Sequence, residues 1–134
     1  MVEIDVTYIG NMKCELRHEE GPQLTTDAPR DIGGNASAFS PTDLVAAGLA
    51  ACIVTTIGMY AERHDFDLTG IKAHVVKEMN PSPRRIGRLP VVVTLPASVP
   101  QEFRAGLERV GHLCPVHASL HPDIDAPIEY KYEL

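Results

Sequence analysis

The sequence predicts an α+β domain, rich in strands at both ends and built around apolar helices. Three observations carry that expectation. Residues 2–9 and 128–134 alternate apolar with polar side chains, as half-buried strands do, and residues 44–61 run without a charge. Residues 68–79 and 86–95 are rich in Val, Ile and Thr, which suit a pleated surface. At 134 residues, the chain has the size of one domain, residues 1–134, and buries enough surface to need neither disulfide nor metal.

In order along the chain, the alternating strand at 2–9 meets a turn at Gly10-Asn11 and a second strand follows to about His18, giving a hairpin. Gln23 to Thr26 makes a short third strand, completing an N-terminal meander. Asp27 to Phe39 (DAPRDIGGNASAF) has turn chemistry and no sustained period, the mark of a functional or mobile loop. At SPTD, Ser40 can cap a helix, Pro41 suits its first position and Asp43 completes a capping box. The helix should run to about His64. Because Leu44 to Met59 is apolar or small on every side, other elements should enclose it. Its eighteen charge-free residues reach a membrane-spanning length, but Ala, Gly and Thr dominate and favour a core helix.

The two long strands, 68–79 and 86–95, are joined by the proline turn Asn80 to Pro83, and Pro90 marks an edge or bulge. Phe103, Leu107 and Val110 recur at helical spacing after Pro100, and Gly111 loosens that helix's end. A shorter helix begins at Pro115 and stops before Pro122. Ile128 to Leu134 closes the fold as a strand.

Twelve basic against eighteen acidic residues leave a net charge of −6, which argues against nucleic acid or an anionic membrane as partner. The three cysteines, Cys14, Cys52 and Cys114, are too few and too dispersed for a secreted disulfide framework, so a reducing, cytoplasmic setting is expected. The start, MVEIDV, lacks the basic n-region and apolar core of a signal peptide.

Thiol chemistry needs thiolate, which a helix N-terminus or a cation favours and apolar surroundings oppose. Cys114 stands directly before Pro115, where it would cap the short helix with its sulfur near the first-turn amides; it reads equally as a small core residue. Cys52 lies mid-helix among Ala50, Ala51, Ile53 and Val54, and by itself reads as structural. Its neighbours on the same face, Gly48, Thr55, Thr56 and Met59, are small or adaptable. Cys14 sits in the second strand with nothing nearby to activate it.

The run SPTDLVAAGLAAC (Ser40 to Cys52), preceded by Gly33-Gly34 and followed by Cys114-Pro115-Val116, resembles the OsmC/Ohr family of hydroperoxide reductases. The order of elements matches over nearly the whole chain. The resemblance implies an OsmC-like fold in an intertwined homodimer, with active sites at the subunit interface, and a thiol-dependent hydroperoxide reductase that needs no cofactor or metal. Cys52 would attack an organic hydroperoxide, or hydrogen peroxide, and become a sulfenic acid. Cys114 would resolve it to a disulfide, and an external dithiol would reduce that. An OsmC-like protein that binds a small apolar ligand, with little peroxidase activity, is the alternative.

The family pairs an arginine with a glutamate ten residues before the peroxidatic cysteine, and that position is Thr42 here. The nearest acid, Asp43, stands nine before, as in a less characterised OsmC-like branch. In a straight helix nine residues rise about 13.5 Å and turn about 900°, which puts Asp43 on the side opposite Cys52. Asp43 therefore serves a broken helix, the other subunit's site, or the cap alone. Arg30, in the long loop, and Arg17, on the second strand, are the candidate cations, with Arg30 preferred because a mobile loop can bring a guanidinium over a buried sulfur. His112, Cys114, His117 and His121 offer metal-ligand types, but at a spacing that fits no common zinc motif.

Overall fold

The computed structural model describes residues 1–134 and matches the predicted α+β class. The chain divides into two compact units, residues 1–45 and residues 46–134. In the first, β1 (Ile4–Gly10), β2 (Lys13–His18) and β3 (Gln23–Asp27) form an antiparallel meander. Its register pairs Val6 with Leu16, Tyr8 with Cys14, and Leu16 with Leu24. Directly opposed residues point to the same face, so Ile4, Val6, Tyr8, Cys14, Leu16 and Leu24 share one side. Its outer part is open, with Val6 59% and Tyr8 67% exposed, while Cys14 and Leu16 are half-buried and Thr26, opposite Cys14, is buried. The loop that follows holds a single 3-10 turn at Arg30–Ile32.

Helix α1 (Pro41–Arg63) opens with the predicted capping box, in which the Asp43 amide donates to Ser40 Oγ at 3.1 Å and the Ser40 amide to Asp43 Oδ2 at 2.9 Å. It is long and apolar enough to cross a membrane by length and composition, but its buried side chains join the core. The expectation that it is enclosed all round is met only in part. Ala46, Leu49, Ala50, Ile53, Ile57 and Ala61 are buried, whereas Val45, Ala51, Thr55 and Met59 are exposed.

In the second unit, the two long strands are each interrupted. They resolve into β4 (Lys72–Val75) and β5 (Glu78–Pro81), then β6 (Arg84–Arg88) and β7 (Val91–Leu95). The breaks face each other: the Val76 amide donates to the Pro90 carbonyl at 3.1 Å, and Pro90 has no N–H to continue the ladder. β5 and β6 form a hairpin, while β4 pairs antiparallel with β7 and β7 parallel with β8 (Ile128–Tyr132). The crossover carries α2 (Gln101–His112) and α3 (Pro115–Ser119). Val91, Val93 and Leu95 alternate inward to meet Leu49, Ile53, Ile57, Leu89, Leu107 and Cys114 in one core.

Gly111 does not loosen α2, which continues through it to His112. The residue is buried, and a β-carbon there would run into the hydroxyl of Tyr130. That hydroxyl donates to the Glu108 carbonyl at 3.0 Å, so it cannot simply swing away. Gly111→Ala should therefore destabilise the protein by about 1 kcal/mol, overpacking of about 1–3 kcal/mol being partly offset by about 1 kcal/mol of helix propensity. With Tyr130→Phe in the background, the same change should turn neutral or stabilising. Urea denaturation of the four proteins measures the difference, and an equal cost in both backgrounds would refute the clash.

Candidate active site

Cys52 sits on α1 at the border between its buried and open faces and is itself half-buried. Gly48, Thr55, Thr56 and Met59 flank it at helical spacing. Thr56 Oγ donates to the Cys52 carbonyl at 2.8 Å, which ties the hydroxyl to the helix backbone. Cys114 reaches the same place from the far end of α2. It is the N-cap of α3 and wholly buried, and its sulfur accepts a hydrogen bond from the His117 amide at 3.3 Å.

Cys52 and Cys114, 62 residues apart in sequence, meet at the same core, Cys114 within it and Cys52 packed against it, and both are free thiols. Cys114 titrates above the ordinary thiol range. Burial is the main cause, the Cys52 sulfur adds to it, and the hydrogen bond from the His117 amide opposes it. Both readings the sequence left open for Cys114 hold, a cap and a buried core residue, and burial is the one that governs its titration. A five-residue helix has little dipole to set against complete desolvation. Burial first, and the nearby Cys52 second, thus favour the protonated form of Cys114.

Tyr130 escaped sequence reasoning. Its hydroxyl is pushed up in pKa by burial first and also by Glu108 and Cys114, which places it in the electrostatic surroundings of the buried sulfur. The alternation of the last strand could have flagged it, since Ile128, Tyr130 and Tyr132 share the less exposed side. Tyr132 donates to Glu108 Oε2 at 2.9 Å and lies under the Arg104 guanidinium at 4.0 Å. The end of α2 that delivers Cys114 is therefore fastened to β8 by two phenols.

Asp43 is committed to the capping box, and α1 is unbroken from Pro41 to Arg63, which removes the broken-helix alternative. Thr42 Oγ lies 3.3 Å from Ser40 Oγ. Arg30 is exposed on the 3-10 turn, and Arg17 is exposed on β2, 3.6 Å from the Glu15 carboxylate. The loop carrying Arg30 is tied at its base: Asp27 Oδ2 accepts from Ser37 Oγ at 2.6 Å and from the Ser37 and Asn35 amides at 3.0 and 3.3 Å. Of the histidine cluster, His117 Nε2 is 3.0 Å from the Ala126 carbonyl and His121 Nδ1 accepts from the Asp123 amide at 3.0 Å. No three His, Cys, Asp or Glu side chains converge as metal ligands would.

Residues 33–129 match a family model described as OsmC-like protein. Among solved structures, the chain is similar to a Psychrobacter arcticus 273-4 protein described provisionally as an osmotic stress induced and detoxification response protein. The two are 34% identical over 97% of this chain and 96% of that one, with a TM-score of 0.91. It also shares the fold of the Legionella pneumophila organic hydroperoxide resistance protein OsmC, at 20% identity, 98% and 96% coverage and TM-score 0.75. The Bacillus subtilis organic hydroperoxide resistance protein OhrB matches at 20% identity, 98% coverage of both chains and TM-score 0.69. No curated protein matches the chain in sequence.

Proposed function

The chain belongs to the OsmC-like protein family, and from that premise we propose that it is a cysteine-based peroxidase that reduces organic hydroperoxides, with hydrogen peroxide as a second substrate. One observation carries the reading: two free thiols from distant parts of the sequence meet at one core, Cys52 half-buried against it and Cys114 wholly buried within it.

Cys52 is the nucleophile, because it stands beside the open face of α1 where a substrate can approach. Its thiolate attacks one peroxide oxygen and the O–O bond breaks. The alkoxide leaves and takes a proton to become the alcohol, so the peroxide gains two electrons and the sulfur, now a sulfenic acid, loses two. Cys114 resolves the sulfenic acid. As the Cys114 sulfur bonds to Cys52, its proton leaves with the sulfenic hydroxyl as water. A dithiol from outside then reduces the disulfide and restores both thiols. Asp43 acts by fixing the first turn of the helix that carries Cys52.

The working unit in this reading is a homodimer in a reducing, cytoplasmic setting. The uncovered apolar side of the β1–β3 sheet and the open side of α1 support it, since a three-stranded sheet with a bare apolar face is marginal in water. Intact mass after one equivalent of a bulky organic hydroperoxide tests the chemistry. A loss of about two mass units, for a new disulfide, is expected. Unchanged thiols together with a retained apolar ligand would instead make this a binding protein.

A further inference from the structure

We infer that Tyr130 is a positioning residue for Cys114: its hydroxyl, tied to the last turns of α2, sets how closely that end of the helix seats against α1 and so where the Cys114 sulfur stands relative to Cys52. The inference rests on the proposed thiol reaction for its purpose, while the geometry of the tie stands independently of it.

Cys114 lies with Leu113 in the short link between α2 and α3, and the backbone alone holds it loosely. Its amide reaches the Gly111 carbonyl only at 3.5 Å, the outer limit of a hydrogen bond. The firmer tie comes from β8. Tyr130 Oη donates to the Glu108 carbonyl at 3.0 Å and Tyr132 Oη to the Glu108 carboxylate at 2.9 Å, so one residue of α2 is gripped by backbone and side chain at once. Tyr132 is itself covered by the Arg104 guanidinium, which donates to the Val99 and Ala97 carbonyls at 3.1 Å each.

Gly111 shows how tight the seating is. A β-carbon at this position would strike the Tyr130 hydroxyl and lie 3.4 Å from Ile57 Cδ1. Ile57 belongs to α1, is wholly buried, and stands five residues beyond Cys52, about 7.5 Å along the helix axis. The glycine therefore lets α2 close onto both β8 and α1 just before the chain reaches Cys114. A second route to the sulfur runs through rings. His112 meets Tyr130 edge-on at 5.9 Å between centroids and His117 at 6.1 Å, and the His117 amide donates to the Cys114 sulfur at 3.3 Å. Tyr130 thus backs both supports of the sulfur, the turn that carries it and the residue that bonds it. Burial, with Glu108 and Cys114 adding to it, raises the phenol's pKa, so this donor does not titrate at the pH of thiol chemistry.

The test uses the full-length protein and Tyr130→Phe, which keeps the ring and removes the hydroxyl. In buffers of oxidised and reduced glutathione, Cys52 and Cys114 lose two electrons and two protons to become a disulfide, while one oxidised glutathione becomes two reduced molecules. The fraction of protein lighter by about two mass units at equilibrium measures how well each sulfur is presented to the other, with no peroxide present. Tyr130→Phe should lower that effective concentration about tenfold or more. With an organic hydroperoxide, the first oxidation of Cys52 should stay within about twofold of the wild-type rate, and closure of the disulfide should slow about tenfold. Gly111→Ala added to Tyr130→Phe fills the space the hydroxyl leaves. It should recover the urea midpoint without recovering either thiol measurement, because the donor to Glu108 is still missing. An unchanged glutathione equilibrium in Tyr130→Phe overturns the inference, as does the absence of a Cys52–Cys114 disulfide in the wild-type protein. Recovery of the equilibrium together with stability in the double variant makes Tyr130 a packing residue and overturns it equally. If the equilibrium shifts as expected while hydroperoxide leaves the wild-type thiols unchanged, the positioning holds and the peroxidase reading fails.

Discussion

Cys52→Ser should lower the proposed peroxide turnover on the order of a thousandfold or more, because a hydroxyl at ordinary pH supplies no anion to attack the O–O bond. Cys114→Ser behaves differently. There the first oxidation should still proceed once per subunit and then stop at the sulfenic acid, about sixteen mass units heavier, since the sulfur that should displace water is missing. The asymmetry follows from the geometry: Cys52 is half-buried at the edge of an open helix face, whereas Cys114 is wholly buried and held as a thiol. Stopped-flow oxidation and intact mass read both variants. Equal loss of the first step in the two proteins would exchange or abolish the roles, and full turnover by Cys52→Ser would end the peroxidase reading.

Local chemistry was what the residues made legible. Ser40, Pro41 and Asp43 announce the start of α1 because a capping box is complete within four residues. Cys114 before Pro115 announces an N-cap for the same reason, and the structure bears it out. What stayed hidden depends on partners far along the chain. The strand breaks need Val76 and Pro90 to meet, and the grip on Gly111 needs Tyr130 from the last strand. Sequence left Cys114 open between a cap and a core residue because the cap is local and the burial that outweighs it is not. Asp27 looked like one more turn residue; only three donors returning from eight and ten positions downstream make it the centre of its loop.

Val6→Glu should convert the proposed dimer to a monomer and sharply lower its melting temperature. The side of the β1–β3 sheet that bears Ile4, Val6, Tyr8, Leu16 and Leu24 is apolar, and burial of each such side chain against a second copy is worth about 1.5–3 kcal/mol. A carboxylate placed among them loses its water without gaining a partner, which costs more than the apolar contact it replaces. In a two-fold assembly every substitution appears twice, so the penalty doubles. Thr7→Glu is the matched control, one residue along the same strand and on the opposite face, and it should leave the assembly intact. Light scattering of the eluting peak distinguishes the two. A dimer that survives Val6→Glu, or is equally disrupted by Thr7→Glu, would show that this face is not what joins the subunits. The open flank of α1 would then be the remaining apolar surface able to do so.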